Sequence, residues 1–286
     1  MDKTKQRGSK ESIQLMLTLY NVFGYKFIYY FLYPVTFFYF LVATNVKQAL
    51  SEYYKHLNIP FTNRVYYTHL RMFAICMVDR FISKIHPEHY HFEYDNKDIP
   101  KEILSTGTVL IYSHFGGWAA SSSGSHVKNK INIVMQEAML SNIKMLEEDL
   151  EIESDINVID LNKGSIAVSI EIANALLNEE IVAMMADRTS NKNASSEVMF
   201  LGKKAIFNKN PFQVSYKVKK PILVYFIIWT DIQKYKVEYI KIEMDYNKSE
   251  LEAVKEALGM YVEKFEKIVK LYPNQWFNLY NFWEKK

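Results

Sequence analysis

The chain has 286 residues, a formal net charge of +3 and a hydrophobic fraction of 49%, which excludes a disordered protein and a strongly basic nucleic-acid-binding protein. Its single cysteine, Cys76, cannot form an intrachain disulfide, so a disulfide-stabilised fold is excluded as well. Aromatic residues make up 15% of the chain, so their distribution bears on whether the protein contacts a membrane.

An uncharged aromatic segment lies between Lys26 and Lys47. Its 20 residues are enough for a membrane-spanning helix, but it contains Pro34 and four tyrosines, which favour the headgroup region over the hydrocarbon centre. Basic residues flank it on both sides, so no orientation across a membrane is indicated. We expect a helix or hairpin that lies in the cytoplasmic face of a membrane. The alternatives are an aromatic helix within the protein's own core and a true membrane span.

The rest of the chain shows a helical period first and then alternating strands and helices. Apolar residues recur three and four positions apart over residues 64–85, as in a helix with one buried face. Beyond Pro100, helical segments alternate with short runs rich in β-branched residues, at 108–112, 131–135, 156–159, 181–186, 222–229 and 236–242. Ser249 and Glu252 form a capping box before a last helix, which stops at Pro273.

This alternation predicts an α/β fold with a central mixed sheet flanked by helices. We expect the aromatic N-terminal part, residues 1–60, to form a membrane-associating helical segment. Residues 61–286 are expected to form the α/β domain, because no linker or internal repeat divides them.

One predicted strand runs directly into a histidine, two glycines and a tryptophan, which are His114, Gly116, Gly117 and Trp118. Open α/β sheets bind ligands at the carboxyl ends of their strands, so His114 is a candidate general base for an attacking hydroxyl. The two glycines permit close backbone approach and would leave amide N–H groups free for an oxyanion. A histidine that only caps the strand end is the alternative interpretation.

A second predicted strand ends in Asp187 and Arg188. The planar guanidinium of Arg188 suits a phosphate or an acyl oxygen, and Asp187 would hold that arginine or orient His114. A purely structural ion pair is the alternative. The chain contains neither a Gly-x-Ser-x-Gly elbow nor a phosphate-binding loop, so a serine hydrolase is disfavoured.

A lysine cluster occupies residues 203–220, where no acidic residue occurs, and includes Lys203, Lys204 and Lys209. It is either a solvated helix face or a docking surface for an acidic partner or an anionic membrane.

Three histidines lie close together at positions 86, 89 and 91. They belong to a proline-containing connection with no cysteine nearby, and no other histidine forms a matching helical pair. The sequence therefore predicts no metal site.

Six different short motifs occur in a characteristic order, at residues 7–9, 79–80, 113–118, 186–188, 200–202 and 276–283. Together they resemble the lysophospholipid acyltransferase superfamily, and more narrowly the bacterial branch similar to the lauroyl and myristoyl transferases of lipid A biosynthesis. The resemblance implies transfer of a fatty acyl chain from a thioester, on acyl carrier protein or CoA, to a hydroxyl of a lipid or glycolipid. It also implies the cytoplasmic face of the bacterial inner membrane and no cofactor.

The resemblance further implies roles for individual residues. His114 would be the catalytic base, and the lysine cluster would receive an acidic carrier protein. Oxyanion stabilisation or substrate binding would fall to Gly116, Gly117, Trp118, Arg188 and Gly202.

One position departs from the family pattern, in which Asp or Glu stands five residues after the histidine. Here that residue is Ala119. The missing carboxylate normally fixes the imidazole tautomer and stabilises its cation, so we expect Glu137 or Asp187 to replace it. A catalytically inactive lipid-binding relative is the alternative. An acyl-ester hydrolase or an amine-directed acyltransferase with the same histidine remains a further one.

Overall fold

The structure is a computed structural model that describes residues 10–94, 98–118, 129–135, 156–189 and 191–283. Its helices are α1 (Lys10–Val42), α2 (Thr44–His56), α3 (Asn63–Ile85), α4 (Asp98–Leu104), α5 (Ser165–Leu177), α6 (Asn210–Val218) and α7 (Glu250–Leu271). Its strands are β1 (His91–Tyr94), β2 (Thr108–Tyr112), β3 (Ile131–Met135), β4 (Ile156–Asp160), β5 (Ile181–Met185), β6 (Ser195–Phe200), β7 (Lys203–Asn208), β8 (Ile222–Asp231) and β9 (Lys234–Ile242).

Seven of the described strands form one mixed sheet in the order β1-β9-β8-β2-β5-β3-β4. Strands β8, β2, β5, β3 and β4 are parallel to one another, whereas β9 is antiparallel to β8 and pairs in parallel with β1. The carboxyl ends of β2 and its neighbours β5 and β8 therefore meet at one edge of the sheet. This arrangement confirms the predicted α/β fold with a central mixed sheet.

The predicted strands at 108–112 and 131–135 have the observed bounds, and the other four differ at their ends by only a few residues. The capping box of α7 is also present. The hairpin of β6 and β7, which pairs apart from the main sheet, was not predicted. Its connection runs through Leu201 and Gly202, which have positive φ angles of 51° and 77° and so form a tight turn.

A cluster of buried aromatic residues joins the sheet to α7 and to the hairpin. Phe265 of α7 stacks on Phe226 of β8 at 5.8 Å between ring centroids, and it stacks on Phe200 of the hairpin at 5.5 Å. Helix α2 belongs to the same core, because its residues Leu50 and Tyr53 are fully buried there. The boundary at residue 60 between two parts of the chain stays a prediction.

Helix α1 presents an apolar, aromatic surface to the outside. It packs on α3, but its exposed large side chains include Phe23, Phe27, Tyr30, Phe31, Tyr33, Phe37, Phe38 and Tyr39. Within the described residues, α1 is a helix long and apolar enough, by length and composition, to cross a membrane. Its course is interrupted at Gly24, where φ is 76°, and Pro34 lies inside it.

A buried carboxylate attaches α1 to the α/β core. Asp79 of α3 accepts hydrogen bonds from the hydroxyls of Tyr25 in α1 at 2.5 Å and of Tyr90 at 2.8 Å, and from the hydroxyl of Tyr235 in β9. Burial raises the pKa of Asp79 to about 6 from its ordinary 3.8, although the three hydroxyls act in the opposite direction. Ionisation of this group therefore costs folding free energy.

Asp79→Asn should show this cost in the pH dependence of stability. Because the folded-state pKa is raised, the stability that Asp79 contributes is complete below its ordinary pKa and is lost as pH rises through about 6. The free energy of unfolding of the wild type, relative to Asp79→Asn, should fall by roughly 2 kcal/mol between about pH 4.5 and about pH 7.5. Chemical denaturation of both proteins at the two pH values measures it. A pH-independent difference would contradict the raised pKa.

Candidate active site

Strand register brings the histidine and the aspartate together. Tyr112 at the end of β2 pairs with Met185 at the end of β5, and the amide of Ala186 donates to the carbonyl oxygen of Tyr112 at 3.3 Å. His114 and Asp187 each lie two residues beyond this last pair. In a parallel pair of strands, equal distances past the end place two residues side by side. The carboxyl edge of the sheet therefore holds both groups, as open α/β sheets hold their ligands.

His114 and Asp187 form a close pair. Nδ1 of His114 lies 3.0 Å from Oδ1 and 3.2 Å from Oδ2 of Asp187, and the backbone N–H of His114 donates to Oδ2 at 3.1 Å. The aspartate is 1% exposed and the histidine 20%. An ionised carboxylate only accepts hydrogen bonds, so Nδ1 carries the proton and Nε2 keeps its lone pair. Within the described residues, no hydrogen bond engages Nε2.

The two groups have pKa values that suit this assignment. Burial lowers the pKa of His114 below its ordinary 6.5, and Arg188 adds to this effect, while Asp187 opposes it. Burial alone would raise the pKa of Asp187, but the charge and hydrogen bond of His114, the charge of Arg188 and the indole of Trp276 hold it below its ordinary range. At neutral pH the pair is therefore an aspartate and a neutral imidazole able to accept a proton.

The two glycines after His114 have a structural role. The amide of Gly116 donates to the carbonyl oxygen of Gln275, and that of Gly117 to the carbonyl oxygen of Ile227, each at 2.8 Å. The prediction that these amides are free to bind an oxyanion is wrong, because both already have acceptors within the protein. Gly116 has a φ of 54°, and a Cβ there would collide with the Ile227 carbonyl; a Cβ on Gly117 would collide with the Tyr235 ring. Glycine is required at both positions by lack of space.

Arg188 and Trp118 lie beside the pair, and their roles in oxyanion or substrate binding stay predictions. Arg188 donates to the carbonyl oxygen of Phe277 at 3.2 Å, and its guanidinium lies 5.2 Å from the ring centroid of Tyr280. Its Nε is buried, and no described residue accepts a hydrogen bond from it. The indole of Trp118 meets the His114 ring edge-on at 5.5 Å between centroids. Arg188 thus has a donor without an acceptor among the described residues, and Trp118 packs against the His114 ring.

A segment near the end of the chain completes the site, and its role was missed at the level of sequence. The indole Nε1 of Trp276 donates to Oδ2 of Asp187 at 3.2 Å, and the amide of Phe277 donates to the carbonyl oxygen of His114 at 2.8 Å. The side-chain amide of Gln275 exchanges two hydrogen bonds with the backbone of Trp229 in β8, at 2.8 and 2.9 Å. The aromatic motif at 276–283 was the signal in the sequence for this role, but a motif does not show which residues it contacts.

Two of the remaining candidate residues, Ala119 and Glu137, fall outside the described residues. Gly202 forms the hairpin turn, six residues from Asn208, whose amide donates to the Ala186 carbonyl at 2.9 Å. Gly202 therefore has a conformational role in this turn. Its substrate-binding role stays a prediction.

Ion pairs with glutamates outside the lysine cluster compensate part of its positive charge. Lys203 pairs with Glu52 of α2 at 3.9 Å, and Lys204 with Glu197 of the neighbouring strand at 2.8 Å. Lys209 directly follows Asn208 and so lies at the site end of β7, whereas the other two lie at its far end. The cluster thus extends along the hairpin from the edge of the site.

Comparison with known proteins adds the family. Residues 66–285 match the family model of the bacterial lipid A biosynthesis acyltransferases. The chain belongs to this family. No curated protein matches the chain. The match covers β2, β5 and the C-terminal segment, so the His114–Asp187 pair lies within the acyltransferase part of the chain.

Gly116→Ala should destabilise the protein by more than a positive φ angle alone would cause. Gly116 and Gly202 both have positive φ, but only Gly116 has backbone atoms where a Cβ would lie, whereas nothing lies within 4 Å at Gly202. The loss of unfolding free energy in Gly116→Ala should exceed that in Gly202→Ala by about 1–3 kcal/mol. Urea denaturation of both variants measures it. Equal losses would mean that the turn after His114 relaxes without strain.

Proposed function

We propose that this chain is an active acyltransferase that moves a fatty acyl chain from a thioester to a hydroxyl of a lipid or glycolipid. Membership of the lipid A acyltransferase family supports acyl transfer to a lipid. The observation that carries the proposal of activity is the His114–Asp187 hydrogen bond. It supplies the orienting carboxylate that the family pattern places at position 119, where this chain has alanine.

In the proposed mechanism the two ring nitrogens of His114 have different roles. Nε2 of His114 takes the proton of the acceptor hydroxyl as its oxygen attacks the thioester carbonyl, forming the new C–O bond. Asp187 holds the Nδ1 proton and stabilises the imidazolium that results. When the C–S bond breaks, the imidazolium returns the proton to the thiolate. The products are the acylated lipid and the free thiol, so no covalent enzyme intermediate is required.

Arg188 is proposed to stabilise the oxyanion. Its buried Nε lacks an acceptor among the described residues, and its side chain is held by the Phe277 carbonyl and the Tyr280 ring. A guanidinium donates to anionic oxygens in a fixed plane, and in a buried site such a hydrogen bond is stronger than in water. We therefore assign oxyanion stabilisation to the Arg188 side chain in place of the Gly116 and Gly117 amides, which already have acceptors.

Membrane association is proposed to occur through α1. Its aromatic residues are exposed along most of its length, and tyrosine and phenylalanine at this density suit the interface between headgroups and acyl chains. The acceptor lipid resides there, and we place the protein at the cytoplasmic face of the bacterial inner membrane. Acyl carrier protein is the proposed donor, with acyl-CoA as the alternative, and the lysine cluster is its proposed docking surface.

His114→Ala and Asp187→Asn test the catalytic pair. Loss of the base should lower kcat by about 10²–10⁴-fold, and loss of the orienting carboxylate should lower it by a similar factor. Wild-type activity should rise with pH to a plateau with a midpoint below about 6.5, because burial lowers the pKa of His114. Acyl transfer is measured with labelled donor and a bacterial lipid extract, and Asp231→Asn, an exposed acid paired with Lys234, is the control.

Ala119→Glu separates an active enzyme from an inactive relative. If Asp187 already orients His114, a second acid should leave activity unchanged or lower it. An inactive wild type that gains activity from Ala119→Glu would refute the proposal and favour a lipid-binding role. Release of free fatty acid in place of acylated lipid would instead indicate a hydrolase.

Replacing exposed aromatic residues of α1 should weaken membrane binding. Phe23 and Phe38 are 58% and 60% exposed, so Phe23→Ser with Phe38→Ser should leave the core intact. Each ring buried in lipid contributes about 1.5–3 kcal/mol, so co-sedimentation with phosphatidylethanolamine–phosphatidylglycerol vesicles should weaken by at least about tenfold. Ile166→Ser with Leu251→Ser, at exposed positions of α5 and α7, is the matched control. Equal effects in the two variants would contradict a role for α1.

Charge reversal in the lysine cluster tests the donor surface. Changing Lys203, Lys204 and Lys209 to Glu should raise KM for acyl carrier protein more than it lowers kcat, since the docking charges act before chemistry. The effect should shrink with added salt, because the Debye length is about 8 Å at physiological ionic strength. Lys241→Glu with Lys267→Glu reverses similarly paired lysines elsewhere. An equal loss with acyl-CoA as donor would contradict docking of the carrier protein.

A further inference from the structure

The connection between α3 and β1 has a rigid, compact backbone with the sequence His86-Pro87-Glu88-His89. Pro87 begins a 3₁₀ turn, and the amide of His89 donates to the carbonyl oxygen of His86 at 3.2 Å. A 3₁₀ turn has three residues per turn, so side chains three positions apart lie on the same side. The two imidazoles accordingly stack, with ring centroids 5.2 Å apart and planes 12° apart.

The side chain of Glu88 completes a set of three metal-ligating atoms. Its Oε1 lies 3.1 Å from Nδ1 of His86 and 3.6 Å from Nε2 of His89, and all three atoms are within 4.8 Å of one another. A tetrahedral ion with bonds of about 2.0–2.2 Å has its ligand atoms about 3.3–3.6 Å apart. The two imidazole planes are nearly parallel, so binding requires the partly exposed side chains to rotate until their lone pairs point at the ion.

Helix α1 provides a second, independent feature of a metal site. The hydroxyl of Tyr20, a buried residue of α1, lies 2.8 Å from Nδ1 of His89, and its ring packs at 5.3 Å from that of His86. When Nδ1–H donates to this hydroxyl, Nε2 of His89 presents its lone pair towards Glu88. Metal-binding histidines are oriented by this kind of hydrogen bond at the second ring nitrogen.

The donor set of the three side chains is two imidazole nitrogens and one carboxylate oxygen. This set suits Zn²⁺ and neighbouring divalent transition metals.

We propose that His86, Glu88 and His89 form a binding site for a divalent transition-metal ion, Zn²⁺ foremost, with water as the remaining ligand. The site is separate from the His114–Asp187 pair and takes no part in acyl transfer. Its occupation would hold His89 against Tyr20 and so strengthen the attachment of α1 to the connection between α3 and β1. Sequence alone grouped His86 and His89 with His91, because the contribution of Glu88 and the support from Tyr20 depend on the fold.

Zinc titration of the untagged, full-length protein in detergent tests the proposal. The protein is first dialysed against a chelator, and Zn²⁺ is then titrated in competition with a fluorescent zinc indicator. The wild type should bind one ion per chain, and His89→Ala should abolish this binding. Tyr20→Phe keeps the ring but loses the hydroxyl, and should weaken affinity by about 10–100-fold, as loss of such a supporting hydrogen bond typically does.

His56→Ala is the matched control. His56 also contacts a glutamate, Glu52, at 3.2 Å, but the described residues bring no second histidine to that pair as a ligand. The affinity of the His56→Ala variant for Zn²⁺ should equal that of the wild type. Zinc should also raise the melting temperature of the wild type and of His56→Ala but not of His89→Ala, since an ion that binds only the folded state stabilises it.

Three results would overturn the proposal. They are substoichiometric binding by the wild type, full binding by His89→Ala, and an equal loss in His56→Ala. Metal-free melting curves of the variants control for folding, because His89→Ala also removes the hydrogen-bond partner of the Tyr20 hydroxyl.

Discussion

The site depends on one buried carboxylate, that of Asp187, and on the N–H groups that converge on it. His114 donates from its backbone and from its ring, and Trp276 donates from its indole. These donors come from the end of β2 and from the segment after α7, while the acceptor comes from the end of β5. A single charge thus joins three distant parts of the chain. Burial strengthens each of these bonds and makes the loss of any one costly.

The segment that supplies Trp276 is fixed by hydrogen bonds to β8 and to α2. Its Gln275 side chain bonds both backbone groups of Trp229, and the carbonyl of Pro273 accepts a hydrogen bond from Tyr53 of α2 at 3.0 Å. The ring of Tyr53 also meets the Trp276 indole edge-on at 5.1 Å. Helix α2 therefore helps to position Trp276, which donates to the carboxylate beside His114.

The placement of His114 and Asp187 at the carboxyl edge of the sheet was predictable from sequence, because buried parallel strands are continuous runs of β-branched residues and both residues follow the end of such a run. The sequence did not decide whether Asp187 or Glu137 would orient His114. The contact of His114 with Asp187 joins residues 73 positions apart and depends on the register in which β5 pairs with β2. The amides of Gly116 and Gly117 were mispredicted for the same reason. Their acceptors, on Gln275 and Ile227, are more than 100 residues away in sequence and leave no local signal.

Asp79 and Asp187 are equally buried, yet their pKa values shift in opposite directions, and the difference lies in their partners. Asp79 faces three neutral tyrosine hydroxyls, which cannot compensate for the loss of water, whereas Asp187 faces the charged guanidinium of Arg188 and an imidazole that becomes positive when it takes a proton. Only the second environment suits catalysis, because it keeps the carboxylate ionised while a cation forms beside it. The two are nevertheless connected. Tyr235, which donates to Asp79, also fills the space against Gly117, so the carboxylate that attaches α1 helps to position the turn that follows His114.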